Sequence, residues 1–286
     1  WIVVGLTTAV ISIAAYGDFS FSNGSIDAKA DVQNAQQTSN SVSVISDDKT
    51  LDQNNQIASL PQDGKYVTSD NTDISKFVYQ GKDIQGLYKD NDGQLKYFNE
   101  YDGTQAKGDI INVNNDNYYF DNSGQGHKID SYYNGSYGEK TVNNKSGWVY
   151  NASDNNPVKG IATVDDKIQY FDPTTGLQLK GGSANVGGVN YYFEPNLGYL
   201  TGKVDQVVNS NDYSDNKLLD SNKNVVKGLT VNNGQLQYYD PSTGDQAKNK
   251  QVIANGVTYY FDGSGNGTYL FTNTGNSAVT DFSQHN

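Results

Sequence analysis

Apolar and polar residues alternate with a period of two in a short run that occurs three times along the chain. Val257, Tyr259 and Phe261 share one side of an expected strand, and Thr258, Tyr260 and Asp262 share the other. Val189, Tyr191 and Phe193 oppose Asn190, Tyr192 and Glu194 in the same way, and Tyr118 and Phe120 oppose Asn117, Tyr119 and Asp121. The first side is apolar-bodied throughout and predicts the core. The second sets a single tyrosine among small polar neighbours and predicts an exposed aromatic. No segment sustains the period of an amphipathic helix, so the pattern predicts an all-β chain.

Each of these runs follows an earlier aromatic strand at a fixed distance. Tyr97 and Tyr118, Tyr170 and Tyr191, and Tyr238 and Tyr259 are each 21 residues apart. A period of about 20 residues is a solenoid signature. The expected fold is therefore an all-β solenoid of stacked β-hairpin repeats over 76–271. Within it, longer units open on Phe77-Val-Tyr79, Trp148-Val-Tyr150 and Lys217-Leu-Leu219, and continue through Gly86-Leu87, Gly160-Ile161 and Gly228-Leu229. Asp172-Pro-Thr-Thr-Gly176 and Asp240-Pro-Ser-Thr-Gly244 are turn signals, because proline presets φ and glycine accepts a positive φ.

The flanks differ. The apolar run 1–16 suits a signal-peptide core, with Ala28-Lys-Ala30 as a cleavage site; a buried core element is the alternative. Residues 1–30 are thus expected to be a truncated secretory signal peptide. Residues 31–75, rich in Ser, Asn, Gln and Asp, are expected to be a flexible linker, and 272–286 a lead-in to a further module. The 286-residue chain has no methionine, even at position 1, which predicts a fragment or a processed piece.

Hydrophobic residues make up only 35% of the chain, yet there are 22 Tyr and 10 Phe, so burial must rest on aromatics in many small clusters. A net charge of −12 with no basic stripe argues against a nucleic-acid partner but does not repel a neutral polymer. With no cysteine there is neither a disulfide framework nor a thiolate metal site.

Candidate chemistry lies in a recurrent Gln-x-Lys after each central turn: Gln105 with Lys107, Gln178 with Lys180, and Gln246 with Lys248. Each glutamine precedes an outward tyrosine (Tyr119, Tyr192 or Tyr260) by the same number of residues. Tyrosine offers a flat amphipathic face, and Gln and Lys offer donors and an acceptor, which together match the apolar face and hydroxyl rim of a pyranose. Thr258 lies on the same side as Tyr260. The alternative is that Gln and Lys are solvated hairpin positions and the tyrosines shield an edge.

Enzymatic constellations are weak. His127 and His285 lack a recognisable nucleophile or metal partner, and the carboxylates fall in turns without forming a glycosidase pair. Asp262-Gly-Ser-Gly-Asn-Gly267 echoes a calcium loop, but Asn273 stands where its final glutamate would be, and a tight turn is the expectation. No cofactor or metal is expected, and no catalytic residue is assigned.

The pattern Tyr-Tyr-Phe-Asp, short turn, Gly, Gln-x-Lys over about 77–271 resembles the glucan-binding repeats of secreted glucansucrases of lactic acid bacteria, relatives of the choline-binding repeats. The run from Trp1 is similar to the interior of their extended signal peptides. Residues 277–286 resemble the stretch leading from N-terminal repeats into the enzyme body. The resemblance implies pockets for a dextran-like α-glucan at Tyr119 with Gln105 and Lys107, Tyr192 with Gln178 and Lys180, and Tyr260 with Gln246 and Lys248. It implies a secreted, non-catalytic region, associated with the cell surface or wall, of a parent that transfers glucosyl units from sucrose. Nothing in the chain matches that catalytic part, and no membrane span is expected in the mature protein. Leu218-Leu219 in place of an aromatic opener, and Glu194-Pro-Asn in place of an Asp-led turn, depart from the pattern. The rival expectation is a structural or adhesive spacer. A choline-type site needs cages of several aromatics, and the chain has only Trp1 and Trp148.

Overall fold

The computed structural model of the protein describes residues 56–68 and 75–272. All regular elements among them are β-strands, as the alternation predicts. The expected signal segment, the lead-in beyond 272, and His285 lie outside the described residues. The segment read as linker does not stay unstructured to its end. Lys65–Thr68 pairs antiparallel with Ser75–Tyr79, and Leu60 is buried with Phe77, Tyr88 and Phe98.

Three long hairpins carry the repeated aromatic runs. Asp109–Val113 pairs with Asp116–Phe120, Gly182–Val186 with Val189–Phe193, and Lys250–Ala254 with Val257–Phe261. Each is closed by two residues of positive φ: Asn114 and Asn115 (51° and 66°), Gly187 and Gly188 (60° and 86°), Asn255 and Gly256 (51° and 77°). Two successive left-handed residues make the tight turn whose twist matches that of paired strands, and Asn and Gly tolerate it best. A third strand completes each unit: Gly126–Lys128, Leu200–Lys203 and Gly267–Thr272.

A two-stranded hairpin precedes each of these three-stranded units: Gly86–Lys89 with Leu95–Phe98, Gly160–Val164 with Lys167–Phe171, and Gly228–Asn232 with Gln235–Tyr239. The first of them merges with the first long hairpin through Gly126–Lys128 into one five-stranded sheet.

The predicted core side is buried in every copy. Phe120, Phe193, Phe261 and Tyr259 have no exposed surface, and Tyr118, Tyr191, Val189 and Val257 are also buried. Each such side chain contributes on the order of 2 kcal/mol relative to exposure. The other side departs from expectation. Tyr119 packs against the cluster of Tyr191 and Phe193, and Tyr192 belongs to the cluster of Tyr259 and Phe261. The outer tyrosine of one long hairpin is therefore covered by the core side of the next.

Polar contacts fix these seams. Asn122 Nδ2 donates to the Gly188 carbonyl (3.0 Å), and Asn255 Nδ2 donates to the Lys203 carbonyl (3.1 Å). Lys203 Nζ meets Asp109 Oδ1 at 2.7 Å. Asn117 Nδ2 donates to Thr163 Oγ1 in a buried bond of 3.0 Å between the first and second units.

Candidate functional site

The three Gln-x-Lys motifs do not point their amides at the outer tyrosines. Gln105 Nε2 lies 3.4 Å from the Gly124 carbonyl, and Gln178 Nε2 lies 2.7 Å from the Leu197 carbonyl and 2.6 Å from Gln169 Oε1. A Cβ placed on Gly124, Gly198 or Gly265 would meet Gln105, Gln178 or Gln246 respectively at under 3.0 Å, and all three glycines have positive φ. Each glutamine therefore fills the space left by a glycine in the following turn. The lysines differ among themselves. Lys107 Nζ reaches Ser75 Oγ (3.4 Å), Lys180 Nζ donates to the Asn196 carbonyl (3.0 Å), and Lys248 is exposed.

The outer tyrosines also diverge. Tyr119 is half-buried, its ring stacked on that of His127 with centroids 4.7 Å apart, and its edge lies against Gly187. Tyr192 is buried, contrary to the exposed position expected for it, because the third long hairpin covers it. Tyr260 alone stays open, 39% exposed, on the last described hairpin. Thr258, expected beside it on the exposed side, is buried instead, and its Oγ1 has no hydrogen-bond partner.

Tyr192 nevertheless borders open space. A cavity of about 350 Å³ lies where the second unit meets the third strand of the last unit. Tyr192, Leu197, Tyr199 and Thr201 line it from one side, and Thr268 and Tyr269 from the other. The turn that builds its floor is headed by Glu194, whose carboxylate accepts the backbone N–H of Asn196 (2.7 Å), Leu197 and Tyr199 (3.3 Å). Asp172 heads its own turn in the same manner, Oδ1 accepting from Thr174 (2.9 Å) and Thr175 (2.7 Å). Glutamate thus replaces aspartate without loss of the turn. Gln178 and Lys180 brace the same turn from behind through the Leu197 and Asn196 carbonyls.

Burial, and secondarily the Glu194 charge, pushes the phenols of Tyr192 and Tyr199 above their ordinary value; Asp165 adds to the effect on Tyr199. Both rings therefore remain neutral hydroxyl donors through the physiological range. Three tyrosines, two threonine hydroxyls and an aliphatic floor make an amphipathic cavity, suited to a neutral ring with apolar faces and a polar rim. With Glu194 engaged in its turn, no free carboxylate pair faces the space. Among the described residues no cluster of His, Asp or Glu could hold a metal ion, and Asp262 Oδ1 accepts from Ser264 (2.8 Å) and Asn266 (2.9 Å) as a tight turn.

The sequence reading missed Tyr199, Tyr269 and Leu197. They stand outside the 21-residue pairing of aromatics and meet Tyr192 only through the third strands.

No family model matches the chain. It is 28% identical over 215 residues to glucosyltransferase-I of Streptococcus downei, covering 72% of this chain and 11% of that relative. It is 31% identical over 185 residues to glucosyltransferase-S of Streptococcus mutans, covering 63% and 12%. The chain is thus similar to a part of these streptococcal glucosyltransferases. It spans about an eighth of the length of the curated relatives it matches. Among solved structures, alternansucrase in complex with isomaltononaose matches at 27% identity and a TM-score of 0.23, over 71% of this chain and 16% of that one. CbpJ of Streptococcus pneumoniae matches at 16% identity and a TM-score of 0.22, over 74% and 86%.

Proposed function

We propose that this glucansucrase-related region binds α-glucan without catalysing its formation, and that it does so as an extracellular part of a larger enzyme acting on sucrose. The observation that carries the reading is the cavity of Tyr192, Tyr199 and Tyr269, with Thr201 and Thr268 at its edge. A pyranose ring would lie against a tyrosine face, and the hydroxyls would exchange hydrogen bonds with its rim. Gln178 and Lys180 act in this reading by holding the turn under the sugar. Tyr260 with Gln246 and Lys248 is the second place at which a ring has access, whereas His127 already occupies one face of Tyr119.

The recurrent seams, in which the core side of one long hairpin closes on the outer tyrosine of the one before, support a β-solenoid of stacked hairpins. A single site of this kind would bind at about millimolar strength, roughly −4 kcal/mol. Several along a stack would hold a polymer far more tightly through effective concentration, by about 10² to 10⁴ where geometry permits. Retention of growing product beside the parent enzyme would follow. Placement outside the cell is supported by the apolar run 1–16 and its Ala28-Lys-Ala30 site.

The spacer reading is favoured by one observation: Tyr119, Tyr192 and the Gln105 and Gln178 amides all serve packing or turns. Affinity gel electrophoresis with and without dextran separates the two. Retardation by dextran, reduced in Tyr199→Ala with an unchanged melting profile, supports binding; equal migration in both gels overturns it.

A further inference from the structure

Two seven-residue strands, Ser136–Val142 and Lys145–Asn151, form a ribbon of their own. They are the longest strands among the described residues. Their pairing runs without a bulge from Val142 opposite Lys145 to Ser136 opposite Asn151. Asn143 and Asn144, both of positive φ (51° and 62°), connect them. A two-residue turn of this kind makes its flanking residues a hydrogen-bonded pair, and such pairs recur at every second position. Val142, Lys140, Gly138 and Ser136 therefore use their backbone groups inside the ribbon. The backbone groups of Tyr137, Glu139 and Thr141 point outward, away from the second strand.

The second strand shows the same alternation on its own outer edge. The Trp148 carbonyl accepts the Gln178 N–H at 2.7 Å, and the Tyr150 carbonyl accepts the Val158 N–H at 2.9 Å. That edge is closed. Among the described residues no strand pairs with the outer side of Ser136–Val142, where Tyr137, Glu139, Lys140 and Thr141 are exposed. The ribbon is nevertheless anchored. The Tyr137 hydroxyl donates to Gln169 Oε1 at 2.8 Å, and its ring meets that of Tyr150 edge-on with centroids 4.9 Å apart. A regular open edge without proline or bulge is a template for another strand.

We infer that this edge pairs with its own copy in a second molecule, antiparallel about a two-fold axis, to give one four-stranded sheet. Outward-pointing residues must then face outward-pointing residues, which leaves three central registers. An axis at Glu139 sets that carboxylate against its own copy, and an axis at Lys140 does the same with the ammonium. Like charges directly opposite each other destabilise a sheet. An axis at Gly138 sets Glu139 against Tyr137 of the second copy and Lys140 against Ser136 of the second copy, so no like charges stand directly opposite. Gly138 then faces its own copy in a non-hydrogen-bonded pair, where Cα atoms approach to about 4.5 Å. Nothing within the molecule calls for glycine there, since its φ is not positive and a Cβ would meet no atom within 4 Å. Glycine inside a strand often marks the close approach of another backbone. The contact is isologous and closes at two copies. It does not depend on what the cavity binds.

The sequence has no cysteine, so single-cysteine variants of the 286-residue chain report the register in a glutathione redox buffer. Gly138→Cys should cross-link to a dimer roughly tenfold faster than Ser136→Cys, which is more exposed but lies away from the axis. Adding Glu139→Pro removes only an outward N–H and should bring the Gly138→Cys rate down to that of Ser136→Cys with an unchanged melting profile. In sedimentation, Ser136→Glu should raise the dimer fraction at low salt by placing a carboxylate opposite Lys140 of the second copy, and lose the gain at about 1 M salt. Equal cross-linking rates for the two cysteines, or a Gly138→Cys rate that Glu139→Pro leaves untouched, overturns the pairing. A chain that sediments as a monomer at every concentration also overturns it and leaves the edge to a different extended segment.

Discussion

Gln178 donates its side-chain N–H to the carbonyl of Leu197 at 2.7 Å and sits where Gly198 would otherwise carry a Cβ. The same fit recurs at Gln105 with Gly124 and at Gln246 with Gly265. An amide is long enough to cross from one turn to the next, and only glycine leaves room for it at a positive φ. Gln178→Ala should cost about 1–2 kcal/mol of stability. Gly198→Ala should cost about 2 kcal/mol or more, since it adds a steric contact to an unfavourable φ of 75°. Combined, the two should cost less than their separate effects, because removing the glutamine vacates the space. Chemical denaturation of the three variants measures this; strict additivity would contradict the contact.

Tyr192 and Tyr260 occupy equivalent strand positions but unequal environments. Tyr192 is packed with Tyr259, Leu229 and Phe261, while Tyr260 is open. Tyr192→Ala is expected to destabilise the protein by about 3–5 kcal/mol, and Tyr260→Ala by less than about 1 kcal/mol. Melting curves of the two proteins give the comparison. Similar losses in both would place Tyr260 in a packed environment.

Acid should act through the turns. Backbone N–H bonds from Thr175 hold the Asp172 carboxyl below its ordinary value, those from Thr243 and Ser242 do so for Asp240, and that from Asn224 does so for Asp220. A carboxyl whose folded pKa is depressed stabilises the fold above its unfolded value, about 3.9, and loses that contribution as pH falls through the folded value. Melting temperature should therefore stay level from about pH 7 to 5 and decline below about pH 4. Asp172→Asn should flatten part of that decline. A steep loss already at pH 6 would point to a different titrating group.

The ion pair of Lys203 with Asp109 links units far apart in the chain but is solvent-accessible on both sides. Asp109→Asn should cost less than about 1 kcal/mol at low salt and nothing measurable near 1 M salt. The buried bond of Asn117 with Thr163 behaves differently. Thr163→Val strands a buried amide and should cost about 1–3 kcal/mol at any salt concentration. Unfolding curves at two salt concentrations distinguish them.

The sequence by itself determined the strands, their spacing and one face of each. Val257, Tyr259 and Phe261 and their counterparts had to be core because a period of two leaves their apolar bodies on one side. The turns were equally legible: Asp172-Pro-Thr-Thr-Gly176 and Asp240-Pro-Ser-Thr-Gly244 admit few backbone conformations. The fate of the other face was decided by tertiary structure alone. Tyr119, Tyr192 and Tyr260 read identically along the chain, yet one stacks on a histidine, one is buried beside a cavity and one is open. The reason is that a strand's alternation records only that its two sides differ. Which later hairpin comes to rest on the second side depends on contacts made dozens of residues away, and the cavity of Tyr192, Tyr199 and Tyr269 exists only where two such units meet.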